Sequence, residues 1–141
     1  MPDDAKKFND YAIGDEAAFD EMITADLVER FRQLSGDKNP LHFDETYAKS
    51  TELGRPIAHG MIAGMLFSRL VGMYLPGPRA LYMSQQLDFR TPIYFGTAVT
   101  VHGKIIQKVD ALRVVRLTTH IIEKETKALL VGGEAVVKLL Q

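Results

Sequence analysis

Met61-Ile62-Ala63-Gly64-Met65-Leu66-Phe67-Ser68-Arg69-Leu70-Val71-Gly72-Met73-Tyr74 is the stretch that decides the fold. Apolar residues occupy most of the circumference of a helix drawn through these positions, so the helix must be covered on nearly every side. The apolar run from Met61 to Leu75 is interrupted by Arg69 and is shorter than the roughly 20 residues that a membrane span requires, so it belongs in a protein core. What covers it follows in the chain. Beyond Pro76-Gly77-Pro78 the period falls towards two, and Leu81 to Phe89, Ala98 to Val109, Arg113 to Glu125 and Leu129 to Leu140 read as long strands. Thr91-Pro92, Val109-Asp110 and the segment Lys124 to Lys127 separate them. One apolar helix followed by four antiparallel strands predicts an α+β domain whose sheet curls about that helix, the economical way to bury both surfaces.

Upstream of the helix, Leu27, Val28, Phe31 and Leu34 fall on one stripe of a second helix that starts after Thr24, a plausible N-cap. Gly36 suits the left-handed position after a helix end, and Pro40 opposes resumption, so Asp37 to His42 is predicted to be an irregular loop. A short helix is expected over Glu45 to Thr51, and Gly54-Arg55-Pro56 is a turn leading back to the apolar helix.

The chain has 141 residues and a mass of 15.8 kDa, which argues for a single domain over residues 1–141. Seventeen Lys and Arg against 18 Asp and Glu leave a formal charge of −1, so no electrostatic case for nucleic acid exists. The absence of cysteine excludes disulfides, thiolate metal sites and a cysteine nucleophile. Met1 to Phe8 carries acids and lysines where a secretory signal needs a basic start and an apolar run, so the chain is expected to be cytoplasmic, with no membrane partner. No serine-hydrolase elbow, nucleotide-binding loop, zinc-protease motif or dinucleotide fingerprint occurs. His42, His59, His102 and His120 lie far apart in sequence without ligand spacing, so no metal is expected.

Chemistry concentrates in Ser35-Gly36-Asp37-Lys38-Asn39-Pro40-Leu41-His42. An Asp and a His held by a constrained loop can converge on one water, with the imidazole moving a proton near neutral pH and the carboxylate accepting the water's other hydrogen. The competing structural role makes Asp37 a turn cap and His42 a core-rim residue. Gly60 precedes the apolar helix, where backbone N–H groups lack intrahelical partners and a carbonyl oxygen could approach; it could equally be a helix-start glycine. Ser68, just over two turns further on, could bond a neighbouring polar group or its own backbone.

Ser35-Gly36-Asp37-x-Asn39-Pro40-x-His42, then Pro56-Ile57-Ala58-His59-Gly60-Met61, then Leu87-Asp88-Phe89-Arg90-Thr91-Pro92-Ile93-Tyr94-Phe95-Gly96 resemble, in order, three motifs of the MaoC-like hot-dog proteins and specifically of the (R)-specific enoyl-CoA hydratases. The resemblance implies a hot-dog fold, an antiparallel sheet wrapped around one long helix, and a homodimer. It implies Asp37 and His42 as the catalytic pair, Gly60 as backbone donor to a thioester carbonyl, and Ser68 and Asn39 in support. The implied reaction is reversible hydration of a trans-2-enoyl-CoA to the (R)-3-hydroxyacyl-CoA, with no cofactor because coenzyme A is part of the substrate. Arg55 and Arg90 are candidates for the coenzyme A phosphates. Two alternatives stand beside it: a dehydratase acting on acyl-carrier-protein thioesters, and a non-catalytic acyl-thioester-binding module.

Overall fold

A computed structural model describes residues 4–141; the first three residues of the amino-terminal segment that bears on compartment lie outside the described residues. In chain order the elements are β1 (Glu16–Ile23), α1 (Ala25–Ser35), α2 (Glu45–Lys49), α3 (Ile62–Arg69), β2 (Ala80–Gln85), β3 (Asp88–Phe89), β4 (Thr97–Val109), β5 (Val114–Glu123) and β6 (Leu129–Leu139). The strands form one sheet in the order β1-β4-β5-β6-β2, with every neighbour antiparallel and β3 also paired to β6. The sheet wraps α3, which is the architecture expected from the sequence. Among the described residues no helix is long and apolar enough to cross a membrane.

Pairing is in register across four strands, so that Phe19, Val101, Ile121 and Val131 lie side by side on the concave face. Ile62, Ala63, Leu66, Phe67, Leu70 and Val71 of the central helix press into that face and are almost completely buried. Burial of a side chain such as Phe67 supplies about 1.5–3 kcal/mol. The helix comes so close that a Cβ on Gly103 would stand 2.9 Å from the Leu70 Cδ2 atom. Its last turn widens into a π-helix over Leu70–Tyr74, with the Leu75 N–H reaching back to the Leu70 carbonyl, before Pro76 ends it.

Three expectations need correction. Cover of the central helix on nearly every side is not found: Met61, Met65 and Met73 are 58%, 41% and 73% exposed, because a single sheet curls round only one arc of the helix. Leu34, placed on the buried stripe of α1, is 89% exposed. At about 100° per residue the buried arc centres between Phe31 and Val28, and Leu34 falls at its margin in the last turn. Finally, β1 was not anticipated, and the strand expected over Leu81 to Phe89 is broken at Gln86-Leu87. There the backbone crosses directly over Gly133, where a Cβ would lie 1.8 Å from the Gln86 carbonyl oxygen.

Candidate active site

The loop after α1 is shaped by its own polar side chains. Thr24 Oγ1 caps α1 by accepting the Leu27 N–H, and Gly36 ends it at φ 76°, the left-handed conformation anticipated from sequence. Ser35 Oγ then accepts the Asp37 N–H at 3.1 Å, Asp37 Oδ1 accepts the Asn39 N–H at 3.1 Å, and Asn39 Oδ1 accepts the Leu41 N–H at 3.0 Å. Each is a side chain bonding backbone two residues on, the interaction that makes Ser, Asp and Asn turn formers. Asn39 therefore fixes the loop and starts the short 3₁₀ turn Pro40–His42.

His42 is half-buried, and its Nδ1 lies 2.8 Å from the Ile57 carbonyl oxygen. A carbonyl oxygen can only accept, so Nδ1 carries the hydrogen and Nε2 holds a free lone pair, the form required of a proton acceptor. Burial pushes the His42 imidazole below its ordinary value; the Ile57 hydrogen bond works against this, His59 reinforces it, and Asp37 opposes it more weakly. The Asp37 side chain is 50% exposed, with Oδ2 4.0 Å from His59 Nε2.

Gly60 lies two residues before the first residue of α3, and among the described residues no protein acceptor takes its N–H. His42 and Gly60 line the same cleft of about 200 Å³, closed by Phe89, Ile93 and Val131, with Arg90 at its border. The cleft thus combines an imidazole, an unpaired backbone donor and an apolar wall. A larger cleft of about 510 Å³ opens far away, between Phe8, Arg113 and Leu140.

Not every candidate gathers here. Ser68 is exposed on α3, roughly 12 Å along the helix axis from Gly60. Among the described residues it makes no hydrogen bond to Asp37 or His42, so the fold does not bring it to the pair. Arg55 stacks over the Tyr94 ring at 4.1 Å and borders a different groove, beside Met22, Phe95 and Glu123. Of the two arginines only Arg90 reaches the cleft.

His59, which stands within the second quoted motif, is a residue that sequence reasoning misses. It is 2% exposed and stacks on His42, with ring centroids 3.8 Å apart. One ligand atom each from Asp37, His42 and His59 lies within 4.8 Å of the others, a spacing that a divalent cation could span. For His59 to serve as such a ligand through Nε2, the hydrogen that this nitrogen donates to the Asp37 carbonyl oxygen at 3.0 Å would have to leave.

Residues 9–126 match the family model described as the MaoC like domain. An (R)-specific enoyl-CoA hydratase of Aeromonas caviae is 40% identical over 127 residues, covering 90% of this chain and 94% of that protein. A 3-hydroxybutyryl-CoA dehydratase of Methylorubrum extorquens is 35% identical over 132 residues, covering 94% of this chain and 83% of its own length. The solved structure of an unliganded R-hydratase of Pseudomonas aeruginosa superposes with a TM-score of 0.89 at 30% identity, covering 96% of this chain and 86% of that one.

Proposed function

Because the chain belongs to the MaoC-like domain family, whose hot-dog fold it adopts, we propose that it is an (R)-specific hydro-lyase adding water reversibly to trans-2-enoyl-CoA to give (R)-3-hydroxyacyl-CoA. The observation that carries the reading is that His42, whose Nδ1 is taken by the Ile57 carbonyl, and Gly60, whose N–H has no protein acceptor among the described residues, line one apolar-walled cleft. A water held between Asp37 and His42 attacks the β-carbon. As the C–O bond forms, one water O–H bond breaks and its proton passes to His42 Nε2, which returns it to the α-carbon. Charge that gathers meanwhile on the thioester oxygen is met by the Gly60 N–H, an electrostatic contribution of roughly 3–4 kcal/mol for a single preorganised donor. Addition of water is redox-neutral, so the reading asks for no cofactor; coenzyme A enters with the substrate, and Arg90, at the border of the cleft, is the cation assigned to its phosphates.

A homodimer belongs to the same proposal. The exposed methionines 61, 65 and 73 of the central helix, together with Leu81 and Met83 on edge strand β2, present apolar surface that a second copy would cover. Sedimentation should give about twice the 15.8 kDa chain mass, and a monomer at micromolar concentration would refute it. Action in the cytoplasm is part of the reading as well, tested by cell fractionation.

The deciding experiment measures initial rates with crotonyl-CoA, a medium-chain enoyl-CoA and an enoyl carrier protein, with chiral analysis of the product. An (R)-3-hydroxyacyl-CoA is expected. Product of the opposite configuration, or turnover confined to the carrier-protein thioester, would overturn the assignment.

A further inference from the structure

The long-range ties of the catalytic loop to the rest of the fold converge on one short segment. The Ile57 N–H donates to the Leu41 carbonyl, His42 Nδ1 donates to the Ile57 carbonyl, and His59 Nε2 lies 3.0 Å from the Asp37 carbonyl oxygen. That oxygen accepts, so the hydrogen of His59 is assigned to Nε2; Nδ1 is buried without a partner among the described residues. The same ring lies nearly parallel to His42, 28° between planes, and has Phe31 of α1 packed against it at 4.9 Å. Gly60 is the next residue. On the hydratase reading above, we infer that His59 is a positioning residue: it ties the Asp37 backbone and the plane of the His42 ring to the segment that carries the Gly60 donor.

The physical need is plain. Asp37 is half exposed, and among the described residues its side chain accepts a hydrogen bond only from Asn39, with His59 Nε2 4.0 Å away. Bonds between neighbours within the loop shape it but do not place it against the cleft. A hydration site requires the carboxylate, Nε2 of His42 and the backbone donor to stand in one relation, and an error of about 1 Å in such a relation can cost 10²-fold in rate. His59 touches no reacting atom in this scheme. It makes contact with both members of the pair and precedes the donor, so it sets their registry.

Three variants separate its two contacts. His59→Gln keeps an N–H at the reach of Nε2 but loses the ring, His59→Phe keeps a ring between Phe31 and His42 but loses the donor, and His59→Ala loses both. With crotonyl-CoA, His59→Phe should lower kcat roughly 10–100-fold while KM stays within about threefold, since ground-state binding does not use His59. His59→Gln should recover a large part of that loss, and His59→Ala should be the poorest. A kcat for His59→Phe within about twofold of wild type, or equal losses in all three variants, would overturn the inference. Two readouts do not depend on turnover. Imidazole nitrogen NMR of the wild-type protein should show the His59 hydrogen on Nε2, and amide exchange at Asn39 and Leu41 should quicken at least about tenfold in His59→Phe. A hydrogen on Nδ1, or unchanged exchange, would refute the tie even if no enoyl thioester proves to be a substrate. A wild-type protein that hydrates nothing yet passes both readouts would instead sink the hydratase reading, and with it the catalytic role inferred for His59.

Discussion

Replacing Gly60 by proline removes the proposed oxyanion donor, and the structure supplies the control that makes the result legible. Among the described residues the Gly60 N–H has no protein acceptor, so its loss breaks no hydrogen bond there, while the bonds from Ile62 N–H to His59 and from Ala63 N–H to Gly60 that open α3 remain possible. Any residue other than glycine, however, also brings a Cβ, which would stand 3.0, 3.1 and 3.4 Å from three carbons of the Phe89 ring. Phe89 is 54% exposed, so its ring can turn aside; this crowding should cost less than the roughly 1–3 kcal/mol of a core overpacking. Gly60→Ala carries the same Cβ and keeps the N–H. The ratio of the two variants therefore isolates the donor. Gly60→Ala is expected to raise KM modestly with kcat close to wild type, while Gly60→Pro should lose a further 10²–10³ in kcat, about 2.7–4 kcal/mol of barrier. Steady-state hydration of crotonyl-CoA is followed by loss of enoyl absorbance, with circular dichroism and thermal melting to show that both variants fold. Folded Ala and Pro variants with equal kcat would mean that the N–H does no chemistry and that Gly60 serves only to admit Phe89.

Asp37→Asn and His42→Ala should each fold and lower kcat by about 10² or more, and the double variant should be little worse than the poorer single one because both act on one water; multiplicative losses would refute shared action. In the proposed step His42 accepts a proton at Nε2, and burial pushes its value down, so the lone pair stays free to lower pH than in an ordinary histidine. The acid limb of kcat/KM should therefore have its midpoint below about 6.5, and a midpoint above that value would contradict the assignment. Arg90→Ala should raise KM for a coenzyme A thioester about fivefold and leave a truncated thioester without phosphates unaffected, whereas Arg55→Ala should change neither; equal effects of the two would refute the phosphate role of Arg90. Gly133→Ala should destabilise the protein by about 3 kcal/mol or more in urea unfolding, because the clashing atom is the Gln86 backbone and cannot swing away; an unchanged midpoint would refute the steric argument.

Local chemistry was legible in the sequence wherever it is complete within a few residues. Thr24 and Gly36 bound α1 because capping is decided by the residue and its immediate neighbours, and the Ser35 to His42 loop is written in side chains that bond two positions on. The extent of the central helix was readable too, since a run of that apolarity has no other use. Even the likeness of the three quoted motifs to a hydratase site needed no coordinates, because loop, glycine and junction stand in fixed order.

Contacts between distant segments were not legible. Glu16–Ile23 mixes alanines and acids of low strand preference, and it is a strand because the exposed edge of β4 offers a ladder to pair with. Apolarity said that the central helix must be buried but not how far one sheet can reach round it, so Met61, Met65 and Met73 could not be told from Leu66 and Phe67. Arg55 and Arg90 looked alike as surface cations until Tyr94 drew one away and the β3 junction placed the other at the cleft. His59 shows the limit most plainly. Its neighbours in sequence announce a helix start, whereas its work depends on Asp37 and His42, 22 and 17 residues back, and only the folding of the α1 loop onto the entrance of α3 puts one imidazole on another. Capping and periodicity are properties of short chain segments; registry between a loop and a helix end is a property of packing, and it exists only once the sheet has closed around the helix.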